Sequence, residues 1–198
     1  VGNIGFENFI LYALNYDEED KERLIYQASQ HGISMSKKYI CMIFEQTKES
    51  QINVRDRRKE FVRVFQDSSV SKHGKLAFLD ENSGILLWDT QEKGKGSPEY
   101  LTSVLEEFGT KVKEKFSDVD LEFAIYCEPA DLLSLKNSVQ KCQKVMGMGK
   151  RLFPDKKIWD YEMLGPYAWI DIEEEELEAM LAKYRSLMED EKNRELLK

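Results

Sequence analysis

The side chains best suited to chemistry in this sequence are carboxylates at the ends of apolar runs. Glu45 follows the run Tyr39-Ile-Cys-Met-Ile-Phe44, and Asp80-Glu81 open the polar stretch between Lys75–Leu79 and Ile85–Trp88. Acidic residues gathered at one end of a sheet can hold Mg²⁺ against triphosphate oxygens, which would serve nucleotide cyclisation or nucleotidyl transfer. The set is sparse: a single Glu45 at one place, and Glu81-Asn-Ser-Gly84 at the other. Two glycine-lysine stretches partly match a phosphate loop. That loop needs Gly, four residues, then Gly-Lys-Ser/Thr between a strand and a helix. In Gly147-Met-Gly-Lys150 the next residue is Arg151, and a helical pattern precedes it, so a helix C-terminus with glycine caps is expected. Gly94-Lys-Gly-Ser97 fails the same test and is expected to be a solvent loop.

The remaining candidates have simpler explanations. His31 and His73 stand apart from any Cys or carboxylate at metal-ligand spacing, whereas a zinc site needs three or four convergent ligands. Cys41 and Cys127 fall in apolar strand patterns, where a thiol acts as a small hydrophobe and not as a nucleophile. Arg55, Arg57, Arg58, Lys59 and Arg63 form a basic cluster interleaved with Asp56 and Glu60. A solvated helix face laced by i,i+3 and i,i+4 pairs accounts for it, with contact to an acidic partner or phosphate as the alternative. Glu173-Glu-Glu-Glu176 reads as charge at a helix N-terminus instead of a metal site. Trp88, Trp159 and Trp169 each lie in an apolar pattern and are expected in the core. No catalytic, cofactor-binding or metal-ligating residue is therefore expected, and no cofactor.

These residues must be positioned by a chain of 198 residues, 41% hydrophobic and 33% charged, with a net charge of −8. The profile is that of a globular protein with a sizeable core. Acidic balance argues against a nucleic-acid surface within the chain itself. No apolar run reaches membrane-spanning length, and three scattered cysteines (Cys41, Cys127, Cys142) suit reduced thiols in a cytoplasm. The absence of Met at Val1, and a helical pattern still running at Lys198, predict a piece of a longer protein.

Along the chain, Phe6, Phe9, Ile10, Ala13 and Leu14 recur at helical spacing. Asp17 is the expected N-cap of a second helix ending at His31-Gly32, with Gly32 in a left-handed cap. Tyr39–Phe44 and Leu121–Cys127 lack alternation, which predicts central strands covered on both faces and adjacent to each other. A basic helix over 53–66 follows the first of them. The runs around Asp80–Gly84 predict a hairpin beside one central strand. Ser97-Pro98 opens a helix through Phe116, and Asp131 or Ser134 opens another through Met146. Ile158–Tyr161 predicts an edge strand, Leu164–Tyr167 a turn, and Tyr167–Ile170 a short strand or ordered loop. Leu177, Met180, Leu181, Tyr184, Leu187 and Met188 form the stripe of a closing helix. It is followed by a solvated segment ending at Leu196-Leu197.

The order strand, helix, hairpin, helix, strand, helix resembles the GGDEF domain of diguanylate cyclases. It is closer to the degenerate GGDEF-like domain of the CdaR/PucR family of bacterial transcriptional regulators, those of sugar-diacid and purine-catabolism type. The resemblance spans nearly the whole chain and rests on loose hydrophobic motifs. These are the helix pair ending in His31-Gly-Ile-Ser, the helix Leu133-Ser-Leu-Lys-Asn-Ser138 with Lys141-Cys-Gln-Lys144, the segment Lys157-Ile-Trp-Asp-Tyr-Glu-Met-Leu-Gly165, and the closing Asn193-Arg-Glu-Leu-Leu197. Glu81-Asn-Ser-Gly84 stands where an active cyclase has its paired glycines.

What the resemblance implies is an α/β (α+β) fold with a GGDEF- or nucleotide-cyclase-like mixed sheet. An antiparallel hairpin lies inside the sheet, helices pack on it, and extra helices stand at both ends. Residues 1–36 would be a helical lead-in, 37–170 the GGDEF-like domain, and 171–198 helices leading to a helix-turn-helix domain outside this chain. The implied function is non-catalytic: a regulatory or assembly domain between a sensor region and a DNA-binding domain. It would act in the cytoplasm as a homo-oligomer, without membrane contact, reaching DNA only through that further domain and answering to an effector of unknown identity. The alternatives are a Mg-dependent nucleotide cyclase using Glu45 and Glu81, and a small-molecule-sensing domain without chemistry.

Overall fold

The computed structural model describes residues 3–47, 56–90 and 96–169. The chain falls into two compact units, Val1–Leu164 and Gly165–Lys198, and of the second only 165–169 are described. Glu173–Glu176, the closing helical stripe and Leu196-Leu197 lie outside the described residues, as do Arg55 and Gly94-Lys95.

The first unit is a mixed α/β fold around a five-stranded sheet. Its elements are α1 (Asn3–Asn15), α2 (Lys21–Gln30), β1 (Tyr39–Gln46), α3 (Arg58–Gln66), β2 (Gly74–Phe78) and β3 (Ser83–Asp89). They continue with α4 (Pro98–Lys115), β4 (Leu121–Ala130), α5 (Leu135–Leu152) and β5 (Ile158–Asp160). The strand order is β2-β3-β1-β4-β5. β1 is antiparallel to both β3 and β4, β2 is antiparallel to β3, and β5 runs parallel to β4. The first four strands with α3 and α4 make a split β-α-β-β-α-β arrangement. The expectation of adjacent central strands holds: β1 sits between the hairpin and β4.

Both faces of the sheet are covered, which explains the unbroken apolar runs. On one face Ile40, Met42 and Phe44 pack with Phe61 and Phe65 of α3 and with Leu101, Leu105 and Phe108 of α4. The Phe44 and Phe61 rings stack at 5.5 Å, and Phe108 meets Phe61 edge-on at 5.6 Å. α1 and α5 lie against the other face, where the Cys142 thiol donates to the Cys41 carbonyl at 3.2 Å. Trp88 and Trp159 are buried, and Trp159 Nε1 donates to the Phe153 carbonyl at 3.1 Å.

Caps set several boundaries. Gly32 takes φ 65 after α2, and Ile33 N–H and Gly32 N–H donate to the Ala28 and Ser29 carbonyls at 3.0 and 3.2 Å. That is a Schellman ending. Ser97 Oγ caps α4 by accepting from Tyr100 N–H, with Pro98 in the first turn. Asp131 accepts from Ser134 N–H and starts the 3₁₀ turn that leads into α5.

Five expectations need correction. Asp17 does not cap α2 directly; a 3₁₀ turn, Glu18–Asp20, intervenes, and the Asp17 carbonyl accepts from Asp20 N–H. The basic helix starts at Arg58, after a turn at residues 56 and 57. Gly147 and Gly149 are not caps, because α5 continues to Leu152. Gly149 instead lies under the Trp159 indole, where a Cβ would collide with the ring, while Gly147 faces open space. The hairpin turn closes before Gly84, which is a strand residue paired with Phe44 and Phe78. A Cβ there would strike the Phe44 ring and the Ala77 carbonyl. Finally, Tyr167-Ala-Trp169 belongs to a 3₁₀ stretch, Glu162–Trp169, interrupted at Gly165 (φ 51). Pro166 then fixes a φ compatible with helical turns and not with a strand ladder.

Candidate functional site

The sheet brings together the two acidic places singled out in the sequence. Glu45 near the end of β1 pairs in register with Ser83 on one side and with Glu122 of β4 on the other. Gln46 N–H donates to the Asn82 carbonyl at 2.8 Å, so the hairpin turn lies directly beside the end of β1.

Glu45 already has a cation beside it. Strand alternation puts Phe44 in the α3–α4 layer and turns Glu45 toward α5. There the Lys150 ammonium donates to Glu45 Oε2 at 2.6 Å and lies 2.9 Å from Glu122 Oε2. Lys157 adds a second positive charge, 3.9 Å from Glu122 Oε1 and 3.5 Å from Asp120 Oδ2. Burial works against the charge on Lys150, yet the hydrogen bonds to Glu45 and Glu122 outweigh it and hold its pKa above the ordinary lysine range. An ammonium thus sits between two carboxylates on neighbouring strands, on the β4 side of β1 and away from the hairpin.

The turn is similarly occupied by its own side chains. Asp80 Oδ1 accepts from the N–H groups of Asn82 and Ser83 at 2.7 and 2.8 Å, an Asx-type turn. Those are backbone donors a phosphate would need, and the Asp80 carboxylate places negative charge where phosphate would have to approach. Gly84 serves the Phe44 ring and not a nucleotide. Among the described residues, no group of three or more His, Cys, Asp or Glu is arranged to hold a metal ion.

The other sequence candidates are dispersed. His31 packs between Phe6 and Phe9, with centroids at 6.1 and 5.5 Å, and His73 packs on Trp88 at 5.3 Å. Burial, reinforced by Asp160 and Glu162, pushes the Cys127 thiol up to about 12, and burial raises Cys142 as well. Neither is a thiolate at neutral pH, so neither is an activated nucleophile.

In the basic cluster Arg57, Lys59 and Arg63 are exposed as expected, and Arg58 departs from that face. Arg58 Nη1 donates to Glu7 Oε2 of α1 at 2.6 Å, and its guanidinium lies 5.2 Å above the Phe78 ring. The other Glu7 oxygen accepts from Phe78 N–H at 3.1 Å. Glu7 is only 8% exposed. It caps the open edge of β2 while its charge is balanced by Arg58. The sequence reading passed over Glu7, although it sits among the inward residues Phe6, Phe9 and Ile10. Glu122 and the role of Lys150 were also missed, because both depend on strand register and helix placement.

No protein-family model matches this chain, and no curated protein matches its sequence.

Proposed function

We propose that this chain is a non-catalytic, GGDEF-like assembly domain of a bacterial transcriptional regulator, standing between a sensor region and a DNA-binding domain. The observation that carries the reading is the Lys150 ammonium seated between Glu45 and Glu122 beside a hairpin turn whose donors are taken by Asp80. In this reading the end of β1 and the hairpin are the remnant of a nucleotide site, with Glu45 tied to an ammonium on its β4 side. The hydrophobic motifs that resemble the CdaR/PucR family support the wider setting.

In this reading the domain acts through shape. A sheet covered on both faces is a rigid platform, and its role is to hold two copies in a fixed relation so that their DNA-reading domains address one site together. With a net charge of −8 the chain repels phosphate, so DNA contact belongs to the further domain. Light scattering across a wide protein concentration range tests this. A concentration-dependent dimer or higher species is expected, and a chain that stays monomeric throughout contradicts the assembly role.

A further inference from the structure

A groove of about 1350 Å³ runs along α4 on the sheet face that α3 and α4 cover. Its origin is geometric. Packed helices lie about 8–10 Å apart and strands about 4.8 Å apart, so two helices cover roughly four strands. The sheet has five; α4 lies against β4 and β5, and the groove opens on its outer side toward the β5 edge. Ile158 points to this face and packs on the edge of its core, while Trp159 points the other way, onto Gly149. The groove follows the outer side of α4, whose 18 residues span about 27 Å.

The lining says what such a helix would carry. Half-buried Ile158 and Met163 form the apolar floor, backed by the buried Leu105, Leu121 and Phe123 beneath them. Six carboxylates stand around it, among them Glu99, Glu106, Glu114 and Asp155, against three lysines, Lys113, Lys156 and Lys157. Lys157 is already engaged with Asp120 and Glu122. Among the described residues no cation forms an ion pair with Glu99, Glu106, Glu114 or Asp155. A concave, low-dielectric wall focuses this uncompensated negative potential into the groove. We propose that the groove between α4 and β5 docks a cationic amphipathic helix of a partner protein, its apolar stripe on the floor and its Lys or Arg residues against the acidic rim. The groove meets the Glu45–Lys150 cluster only through Lys157 and Asp120, and the proposal does not depend on the regulator reading.

The test uses the full 198-residue chain and a fluorescent synthetic helix with Leu at i, i+3, i+4 and i+7 and Lys elsewhere. Saturable binding is expected by anisotropy, with a sequence-scrambled peptide of the same composition binding at least about tenfold more weakly. Glu106→Lys with Glu114→Lys, both exposed positions, should weaken the Lys peptide about tenfold or more and favour its Glu-for-Lys counterpart. Ser103→Trp, which fills the exposed flank of α4 without changing charge, should weaken it similarly. Glu22→Lys on α2 should leave affinity unchanged. Equal binding of the scrambled peptide, equal binding by the groove variants, or displacement by spermine at equal charge would overturn the proposal, leaving only a diffuse acidic patch.

Discussion

Glu45 and Lys150, 105 residues apart in sequence, are joined by a 2.6 Å hydrogen bond from helix to strand. The bond ties the last turns of α5 to the end of β1, and Glu122 at 2.9 Å extends it to β4. Lys150→Met would leave two carboxylates facing each other on adjacent strands. Partial exposure of the pair screens the effect, so a loss of about 0.5–1 kcal/mol in urea unfolding is expected. Lys150→Arg should recover most of it. A fully neutral Lys150→Met would show that the cluster contributes nothing to docking α5.

Glu107 gives the acid side of the stability profile a definite origin. Burial pushes its carboxyl up, but the Lys111 ammonium and the Ser69 N–H outweigh burial and hold its pKa below 4.5. A folded-state pKa below the unfolded one stabilises at pH above the unfolded value, and that contribution fades as pH falls through the folded value. Glu107→Gln should therefore flatten stability below about pH 4.5 relative to the parent, measured by urea midpoints against pH. Parallel acid limbs would contradict the assignment.

Two glycines of α5 should respond oppositely to the same substitution. Gly147 faces open space, so Gly147→Ala should gain about 0.5–1 kcal/mol from helix propensity. At Gly149 the added methyl meets the Trp159 indole, and overpacking should cost about 1–3 kcal/mol. Thermal melting of the two variants decides it. Equal shifts would mean that Trp159 moves aside freely.

Glu7 holds both a charged partner and an edge-strand amide. Glu7→Ala leaves Arg58 and Phe78 N–H without their acceptor and should cost about 2–4 kcal/mol. Arg58→Met keeps apolar packing over Phe78 but leaves the buried Glu7 carboxylate without its counter-ion, and should cost a similar amount. A double-mutant cycle that returns no coupling energy between positions 7 and 58 would contradict the pairing.

The parts of the fold legible in the sequence are those whose reasons are local. β1 and β4 announce themselves as unbroken apolar runs because helices cover both faces, and Gly32 marks its helix end by its left-handed turn. Glu45 and the hairpin could be placed together only through the resemblance to nucleotide-cyclase sheets, since the alternation of elements implies a sheet with a hairpin inside it and not its strand order. Gly149 was misread because its reason lies in Trp159, ten residues on and across a turn. Gly84 was misread because the ring it accommodates, Phe44, comes from another strand. Tyr167-Ala-Trp169 looked strand-like by composition, while Gly165 and Pro166 set backbone angles that favour turns. Glu7, Glu122 and Lys150 gain their partners only after the sheet is assembled.

The most direct measurement is product analysis after incubation with GTP or ATP and Mg²⁺ or Mn²⁺, for the parent chain and for Glu45→Gln. With Lys150 seated between Glu45 and Glu122 and Asp80 holding the turn, no nucleotide product above the protein-free control is expected from either protein. Metal-dependent product from the parent chain that Glu45→Gln abolishes would contradict the non-catalytic reading and identify Glu45 as a working metal ligand.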